Sequence, residues 1–210
     1  MKEKPILFSG AMVRAILDGR KTQTRRIVKN HPLIDAEFTD EFILLPENHV
    51  ADDCPYGKVG DRLWVRETCQ AWEYELSGED VVRYVADGAF RPIEPTQNAM
   101  ERWIELNSYR GKKGAIVPSI HMPRWASRIL LEITDVRVER LNDISEEDAI
   151  KEGIEGCVGE YYSTEDKNPE KSFAYADGRG AFKHLWESTY GLASWEDNPW
   201  VWAIDFKAVQ

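Results

Sequence analysis

The sequence has few cysteines and no long apolar run, and each shortage excludes a class of protein. Its three cysteines, Cys54, Cys69 and Cys157, are widely spaced, and no Cys-x-x-Cys pair occurs. This spacing argues against a disulfide framework and against a structural zinc site. No stretch approaches the roughly 18 consecutive apolar residues that span a bilayer, so no membrane is expected as a partner. Residues 1–5 lack the apolar region of a signal peptide, which predicts a cytoplasmic location.

Positive charge is scarce overall and concentrated in one place. The 210 residues carry a formal net charge of −10, whereas residues 11–30 contain six basic side chains and one acid, Asp18. The overall acidity argues against a broad basic face that coats long nucleic acid. A local positive window favours a small electron-rich or anionic ligand, of the size of a nucleoside or a short RNA. Residues 35–53 are the opposite case: they hold seven acids and no lysine or arginine, and they are a candidate surface for a protein partner.

Hydrophobic periodicity and turn signals predict a mixture of short strands and a few helices. The strands are predicted at residues 5–8, 22–28, 63–65, 81–85, 128–140 and 200–208. The first helix is predicted between Ser9, which caps it, and Gly19, and two others are predicted at residues 146–152 and 181–190. Met100, Trp103 and Ile104 indicate the apolar face of a further helix. Within the long strand the apolar phase switches from odd to even positions after Ile133, which predicts a bulge. This pattern favours an α+β fold, a small curved β-barrel flanked by helices.

The spacing of these elements predicts one domain, residues 1–210, with three large insertions. The insertions are expected at about residues 30–55, 71–117 and 155–180, and the third is expected to be loop-like because it is polar and contains glycine.

Several motifs, taken in their order along the chain, resemble the ASCH domain, a relative of the PUA fold. They are Gly19-x-Lys21-x-x-Thr24-x-Arg26, Gly60-Asp61 before a strand, Glu132-Ile133-Thr134-x-Val136, a short helix leading to Glu152-Gly153-Ile154, and Ile204-Asp205-Phe206 in the last strand. The resemblance covers about half of the chain and implies a PUA-like barrel. The stretch at residues 119–128 is typical of an enlarged ASCH type that bacteriophages often carry, which would place the protein in the host cytoplasm.

The Lys-x-x-Thr form of the first motif is similar to the ASCH amidohydrolases that remove the acetyl group from N4-acetylcytidine. That resemblance implies a catalytic set of Lys21, Thr24 and Glu152. Amide hydrolysis needs a nucleophile, a base that activates it and a donor for the oxyanion. Thr24 offers a hydroxyl, and Lys21 can act as the base if burial lowers its pKa. The two side chains can converge only if Lys21 lies in the turn before the strand, because a three-residue separation within a strand places them on opposite faces.

Other residues are candidate substrate contacts. Arg26 is predicted to bind a ligand oxygen or to hold Glu152, and the remaining candidates for substrate binding are Arg25, Glu67, His121 and Arg124. Trp125 is a candidate for stacking on a base. No metal or other cofactor is expected, because His49 and the cysteines are not spaced as zinc ligands.

Simpler interpretations of the same residues remain open. The basic side chains after Gly19 also fit a solvated basic edge, Thr24 also fits an ordinary β-former, and Glu152 is one acid of several on its helix. Trp125 also fits a core residue, with His121 an exposed polar one. Three functions follow: an amidohydrolase acting on an acylated cytidine-type nucleoside, a PUA-like module that binds RNA or a modified base through Arg25 and Arg26 without chemistry, and an interaction protein that uses its acidic insertions.

Overall fold

The computed structural model describes residues 1–29, 53–74, 78–157, 160–162 and 175–209, with the backbone alone at residues 156–157 and 160–162. The acidic stretch and most of the first and third predicted insertions lie outside these residues. The helices and strands are β1 (Glu3–Leu7), α1 (Gly10–Leu17), β2 (Gln23–Ile27), β3 (Arg62–Arg66), β4 (Cys69–Glu73), β5 (Asp80–Tyr84), β6 (Phe90–Pro92), α2 (Gln97–Asn107), β7 (Ile116–Val117), β8 (Leu130–Arg140), α3 (Glu146–Lys151), β9 (Glu155–Cys157), β10 (Glu160–Tyr162), α4 (Gly178–Tyr190) and β11 (Trp200–Val209).

The described strands form three sheets. The largest has the order β1-β3-β8-β11-β2, the second has the order β6-β5-β4-β7, and β9 and β10 form a separate pair. In the largest sheet β2 pairs antiparallel with β11, so that Arg25 lies opposite Ala203 and Thr24 opposite Ile204. Helices and sheets are thus both present, and the predicted α+β fold class is confirmed.

The chain divides into two compact units. The first consists of Met1–Lys4, Ala15–Leu63 and Leu131–Gln210, and the second of Pro5–Arg14 and Trp64–Leu130. In the first unit the opening five residues of β11 are all buried, so this strand is covered on both faces. Trp200 and Trp202 are therefore core residues.

The second unit has a core of its own. The β4–β7 sheet and α2 bury the residues Cys69, Ala71, Val82, Tyr84, Trp103, Leu106, Val117, Met122 and Ala126. The middle predicted insertion thus contains a folded sheet and a helix, and it includes a strand, Asp80–Tyr84, where residues 81–85 were predicted to form one. The helical face is shifted from the predicted one: Trp103 is buried, but Met100 and Ile104 are exposed, and Leu106 is the second buried residue of α2.

Two further differences concern β8 and the loop-like third insertion. Leu131, Ile133 and Val136 are buried in β8, which confirms the predicted change of phase. Residues 155–162 contain the β9–β10 pair where a loop was expected. None of the helices in the described part of the chain has the length and apolar character of a membrane-spanning helix.

Candidate active site

Local backbone geometry places Lys21 just before β2. The chain leaves α1 through Gly19, whose φ of 73° is a left-handed conformation that glycine adopts without strain. The Lys21 amide then donates to the Ala15 carbonyl at 2.9 Å, and Lys21 forms an isolated antiparallel bridge with Glu152. Lys21 therefore lies in the connection that precedes the strand, which is the position that convergence with Thr24 requires.

Glu152 comes from the end of α3. Ser145 caps this helix, since its hydroxyl accepts a hydrogen bond from the Asp148 amide at 3.1 Å. The helix ends at Lys151, one residue before the predicted end, and Glu152 is its C-cap. Gly153 follows with a φ of 99°, which lets the chain turn sharply after Glu152.

The central contact of the site is a buried ion pair. Lys21 Nζ donates to Glu152 Oε2 at 2.6 Å and to the Glu152 carbonyl at 2.8 Å. The two side chains are 0% and 3% exposed. Burial lowers the pKa of Lys21; the Glu152 carboxylate opposes this effect, and the nearby charges of Arg26 and Arg25 add to it. The expectation that burial would lower this pKa is therefore met.

Arg25 is buried rather than solvated. Its side chain is 0% exposed, and its guanidinium group donates to Glu139 from Nε at 3.0 Å and from Nη2. Further donors reach Asp148 Oδ2 at 3.1 Å and Glu152 Oε1 at 3.4 Å. The guanidinium carbon lies 5.8 Å from the ring centroid of Phe182. The open interpretation of a solvated basic edge does not hold for Lys21 or Arg25, and Arg25 has no exposed surface with which to reach a phosphate.

Two further polar side chains, Gln23 and Arg137, bind the carboxylates that surround Arg25. Gln23 Nε2 donates to Asp148 Oδ1 at 3.1 Å and to Asp205 Oδ1 at 2.9 Å. Arg137 donates to Asp148 Oδ2 and Asp205 Oδ2, both at 2.6 Å, and to Glu139 Oε2 at 2.9 Å. Burial raises the pKa of Asp148, but the hydrogen bond from Gln23 and the charges of Arg137 and Arg25 outweigh it, so the net pKa is lowered.

We call the resulting group of three cations and four carboxylates the ion-pair cluster. Its charged members, all in the first unit, are Lys21, Arg25, Arg137, Glu139, Asp148, Glu152 and Asp205. The sequence interpretation missed Gln23, Arg137, Glu139, Asp148 and Asp205. Part of the cluster could have been found from the sequence, because Gln23 and Arg25 are two residues apart and therefore share one face of β2.

Thr24 and Arg26 occupy the alternate positions of β2. Thr24 is buried and Arg26 is half-buried. Strand alternation directs both side chains to the face opposite Gln23 and Arg25. Arg25, for which substrate binding was predicted, donates to Glu152 Oε1 at 3.4 Å, and Arg26 lies close enough to Lys21 for its charge to lower the pKa of that lysine.

The other predicted substrate contacts belong to the second unit. Glu67 is buried and receives two hydrogen bonds from Arg128, at 2.8 and 2.9 Å. Burial raises the pKa of Glu67, and the bonded Arg128 opposes the rise. His121 and Arg124 are exposed, while Trp125 packs against the core of the second unit. The open question about Trp125 is thereby resolved in favour of a core residue.

The cysteines and histidines of the described residues form no cluster. No group of three or more histidine, cysteine, aspartate or glutamate side chains is arranged to hold a metal ion in this part of the chain. Cys54 and Cys69 are buried free thiols, and burial raises the pKa of Cys69 to about 12.

Comparison with known proteins adds one distant likeness. No family model and no curated protein matches the chain. One solved structure is described as the "High resolution crystal structure of ASCH domain from Lactobacillus crispatus JV V101". Its alignment with this protein covers 99% of this chain and 79% of the chain in that structure. The identity is 14% and the TM-score 0.36. A likeness this distant carries no argument about function, so the interpretation of the site rests on its own residues.

Proposed function

We propose that the Lys21–Glu152 pair is the proton-transfer centre of an amidohydrolase that removes the acyl group from a cytidine-type nucleoside such as N4-acetylcytidine. The observation that carries the proposal is the buried 2.6 Å contact between the Lys21 ammonium and the Glu152 carboxylate. A lysine whose pKa is lowered by burial gives up its proton more readily, as a general base must. The substrate class comes from the resemblance of the Lys-x-x-Thr motif to the ASCH deacetylases.

In this proposal the proton shared by the pair moves from Lys21 to Glu152, and the neutral Lys21 accepts the proton of the Thr24 hydroxyl, whose oxygen attacks the acyl carbon. The acyl C–N bond then breaks, and the exocyclic amine of cytosine leaves with a proton from Glu152. Lys21 then passes the proton it took from Thr24 to the Glu152 carboxylate and can accept a proton from the water that attacks the acyl-threonine ester. The ester C–O bond breaks, the acid is released, and Glu152 returns a proton to the Thr24 oxygen, which restores the hydroxyl. Arg26 is assigned to the acyl oxygen, where a positive charge stabilises the developing oxyanion.

Arg25 is a positioning residue in this scheme. It bonds Glu152 Oε1, while Lys21 bonds Oε2, so the two oxygens of one carboxylate are held by two different cations. Glu139 and Asp148 in turn fix the Arg25 guanidinium. This arrangement restricts the rotation of the Glu152 carboxylate and keeps one oxygen directed at Lys21.

The test is conversion of N4-acetylcytidine to cytidine by the purified protein, followed by chromatography. Thr24→Val keeps the shape of the side chain but removes the hydroxyl, whereas Thr24→Ser keeps the hydroxyl. We expect Thr24→Val and Glu152→Gln to lower kcat by about 10²–10⁴-fold, and Thr24→Ser to retain most of the activity. Lys207→Met, which removes an exposed lysine of β11, is the matched control for Lys21→Met.

Two outcomes contradict the proposal. A folded parent protein that leaves N4-acetylcytidine intact would favour the alternative of RNA or modified-base binding without chemistry. Turnover that survives Thr24→Val would remove Thr24 from its role as nucleophile. Circular dichroism of each variant separates loss of activity from loss of fold.

A further inference from the structure

The β6-β5-β4-β7 sheet turns one face to the core of the second unit. The core-facing side chains of its strands are those of Cys69, Ala71, Val82, Tyr84 and Val117. Because side chains alternate along a strand, the residues between them point away from that core. We call this other side the outer face, and its large side chains are Trp72, Tyr74, Arg83, Phe90, Pro92 and Ile116.

The register of the strands gathers these side chains into one patch. A single row crosses all four strands in the order Ile116, Gln70, Arg83 and Phe90. Side chains that lie directly opposite each other in an antiparallel pair are about 5 Å apart at their Cβ atoms. Beside this row, the ring centroids of Tyr74 and Phe90 are 5.0 Å apart, and the Arg83 guanidinium carbon lies 5.4 Å from the Trp72 ring centroid. The outer face is therefore contiguous.

Much of the apolar surface of this patch is open to solvent. Trp72, Tyr74, Phe90 and Ile116 are between 38 and 56% exposed, and Pro92 is exposed as well. For side chains of this size, these fractions amount to about 400 Å² of apolar surface. A contiguous apolar patch of about 300–600 Å² is the largest that a typical monomer carries, and such patches are often functional.

The charge of the outer face differs from that of the rest of the protein. The four strands contain two acids, Glu73 and Asp80, which lie opposite each other at core-facing positions of the alternation. Of the residues on the outer face, Arg83 alone is charged, and arginine is among the residues enriched in interfaces. Two copies of a protein of net charge −10 repel each other, so they associate most readily where no carboxylates meet.

The edges of this sheet are poorly suited to pairing with a further strand. The edge strand β7 has two residues. The other edge strand, β6, has three residues and ends in Pro92, which has no amide hydrogen to donate. Association through this sheet therefore uses its outer face and not its edges.

We infer that the outer face is the interface of a homodimer, in which the outer faces of two copies pack on each other about a two-fold axis. Such an axis brings one patch onto the same patch of the second copy, so apolar surface meets apolar surface. Because interfaces are about 60% apolar, 400 Å² of apolar surface corresponds to about 650 Å² per copy and about 1,300 Å² in the dimer. That area is within the range of about 1,200–2,000 Å² that specific interfaces bury.

This inference goes beyond the proposed amidohydrolase and does not depend on it. The outer face lies within the middle predicted insertion, and none of its residues belongs to the ion-pair cluster. Loss of the dimer and loss of deacetylation are therefore separate results.

The experiment measures the mass of the full chain by sedimentation equilibrium at protein concentrations from about 1 to about 100 μM. Interfaces of this size have dissociation constants from about micromolar to picomolar, so we expect twice the 24.2 kDa of one chain at the upper end of this range. Ile116→Glu places an unpaired carboxylate in the interface of each copy and is expected to weaken the dimer at least about tenfold. Phe90→Lys, beside Arg83, tests the same face from its other edge and should weaken the dimer by a similar factor.

Ile104→Glu is the matched control for Ile116→Glu. Ile104 belongs to α2 and is 57% exposed, whereas Ile116 is 56% exposed, so the two variants add the same charge at equally exposed isoleucines. We expect Ile104→Glu to change the dissociation constant less than about twofold. Circular dichroism of each variant separates loss of association from loss of fold.

The dependence on salt distinguishes apolar packing from ion pairing. Raising the salt concentration from about 50 to about 500 mM screens the repulsion between two negatively charged copies, so the dimer is expected to tighten. The inference is overturned if the parent protein has the mass of one chain at about 100 μM, which would leave the outer face to a protein of another sequence. It is also overturned if Ile116→Glu and Phe90→Lys associate as tightly as Ile104→Glu, or if the dimer weakens as salt is added.

Discussion

Arg25 should be the arginine on which the stability of the first unit depends most. Its guanidinium is 0% exposed and contacts three carboxylates, those of Glu139, Asp148 and Glu152. Arg25→Met leaves the buried Glu152 carboxylate and the two mostly buried carboxylates, Glu139 and Asp148, without one of their cations. Removal of one partner from a buried ionic group costs about 3–5 kcal/mol, because the remaining charges keep their desolvation penalty. For a protein of this size each kcal/mol shifts the melting temperature by about 2–4 °C, so a decrease of about 10 °C is expected.

Arg137→Met is the matched control for that prediction. Arg137 contacts two of the same carboxylates, Glu139 and Asp148, but its side chain is 33% exposed. Water replaces part of the lost interaction, so we expect a cost of about 1 kcal/mol. Thermal unfolding followed by circular dichroism compares the two variants. If Arg25→Met melts at or above the temperature of Arg137→Met, burial does not determine the importance of these arginines and the reasoning fails.

Two further predictions concern the same ion-pair cluster. The pKa of Asp148 is lowered below its ordinary value of 3.8. The stability that its carboxylate contributes is therefore present above pH 3.8 and is lost as the pH falls through the lowered pKa. Urea unfolding between about pH 5 and pH 2.5 should show that the free energy of unfolding falls less steeply with pH in Asp148→Asn than in the parent. Lys21→Met alone should cost about 3–5 kcal/mol, whereas Lys21→Met/Glu152→Gln should unfold within about 1–2 kcal/mol of the parent, because the double variant removes both buried charges. A double variant as unstable as Lys21→Met, measured by urea unfolding, would show that the two charges are not coupled.

The elements with strong local signals were predictable from the sequence. Ser9 begins α1 as expected, since its hydroxyl accepts from the Met12 amide at 3.3 Å, and Ser145 begins α3 in the same way. These signals are local because a capping side chain reaches only the first turn of its own helix. The β9–β10 pair was missed because its polar sequence has no alternation of apolar residues.

The site was predictable only where a motif identified it. Lys21 and Glu152 came from the ASCH resemblance, but the carboxylates around Arg25 did not. Arg25 and Glu139 are 114 residues apart, and Gln23 and Asp205 are 182 apart. Contacts across such separations follow from the register of β2, β11 and β8 within the sheet, and that register cannot be derived from local propensity.

Formal charge along the sequence proved to be a poor guide to charge on the surface. The positive window at residues 11–30 directs Lys21 and Arg25 inward, where carboxylates more than 100 residues away neutralise them. The segment at residues 108–128 has a smaller excess of charge relative to its length, but it keeps four cations exposed. A polyanion responds to accessible charge, whereas a proton-transfer site requires charge that is buried and compensated. The charge of Lys21 and Arg25 in the first segment is therefore of the second kind, buried and compensated.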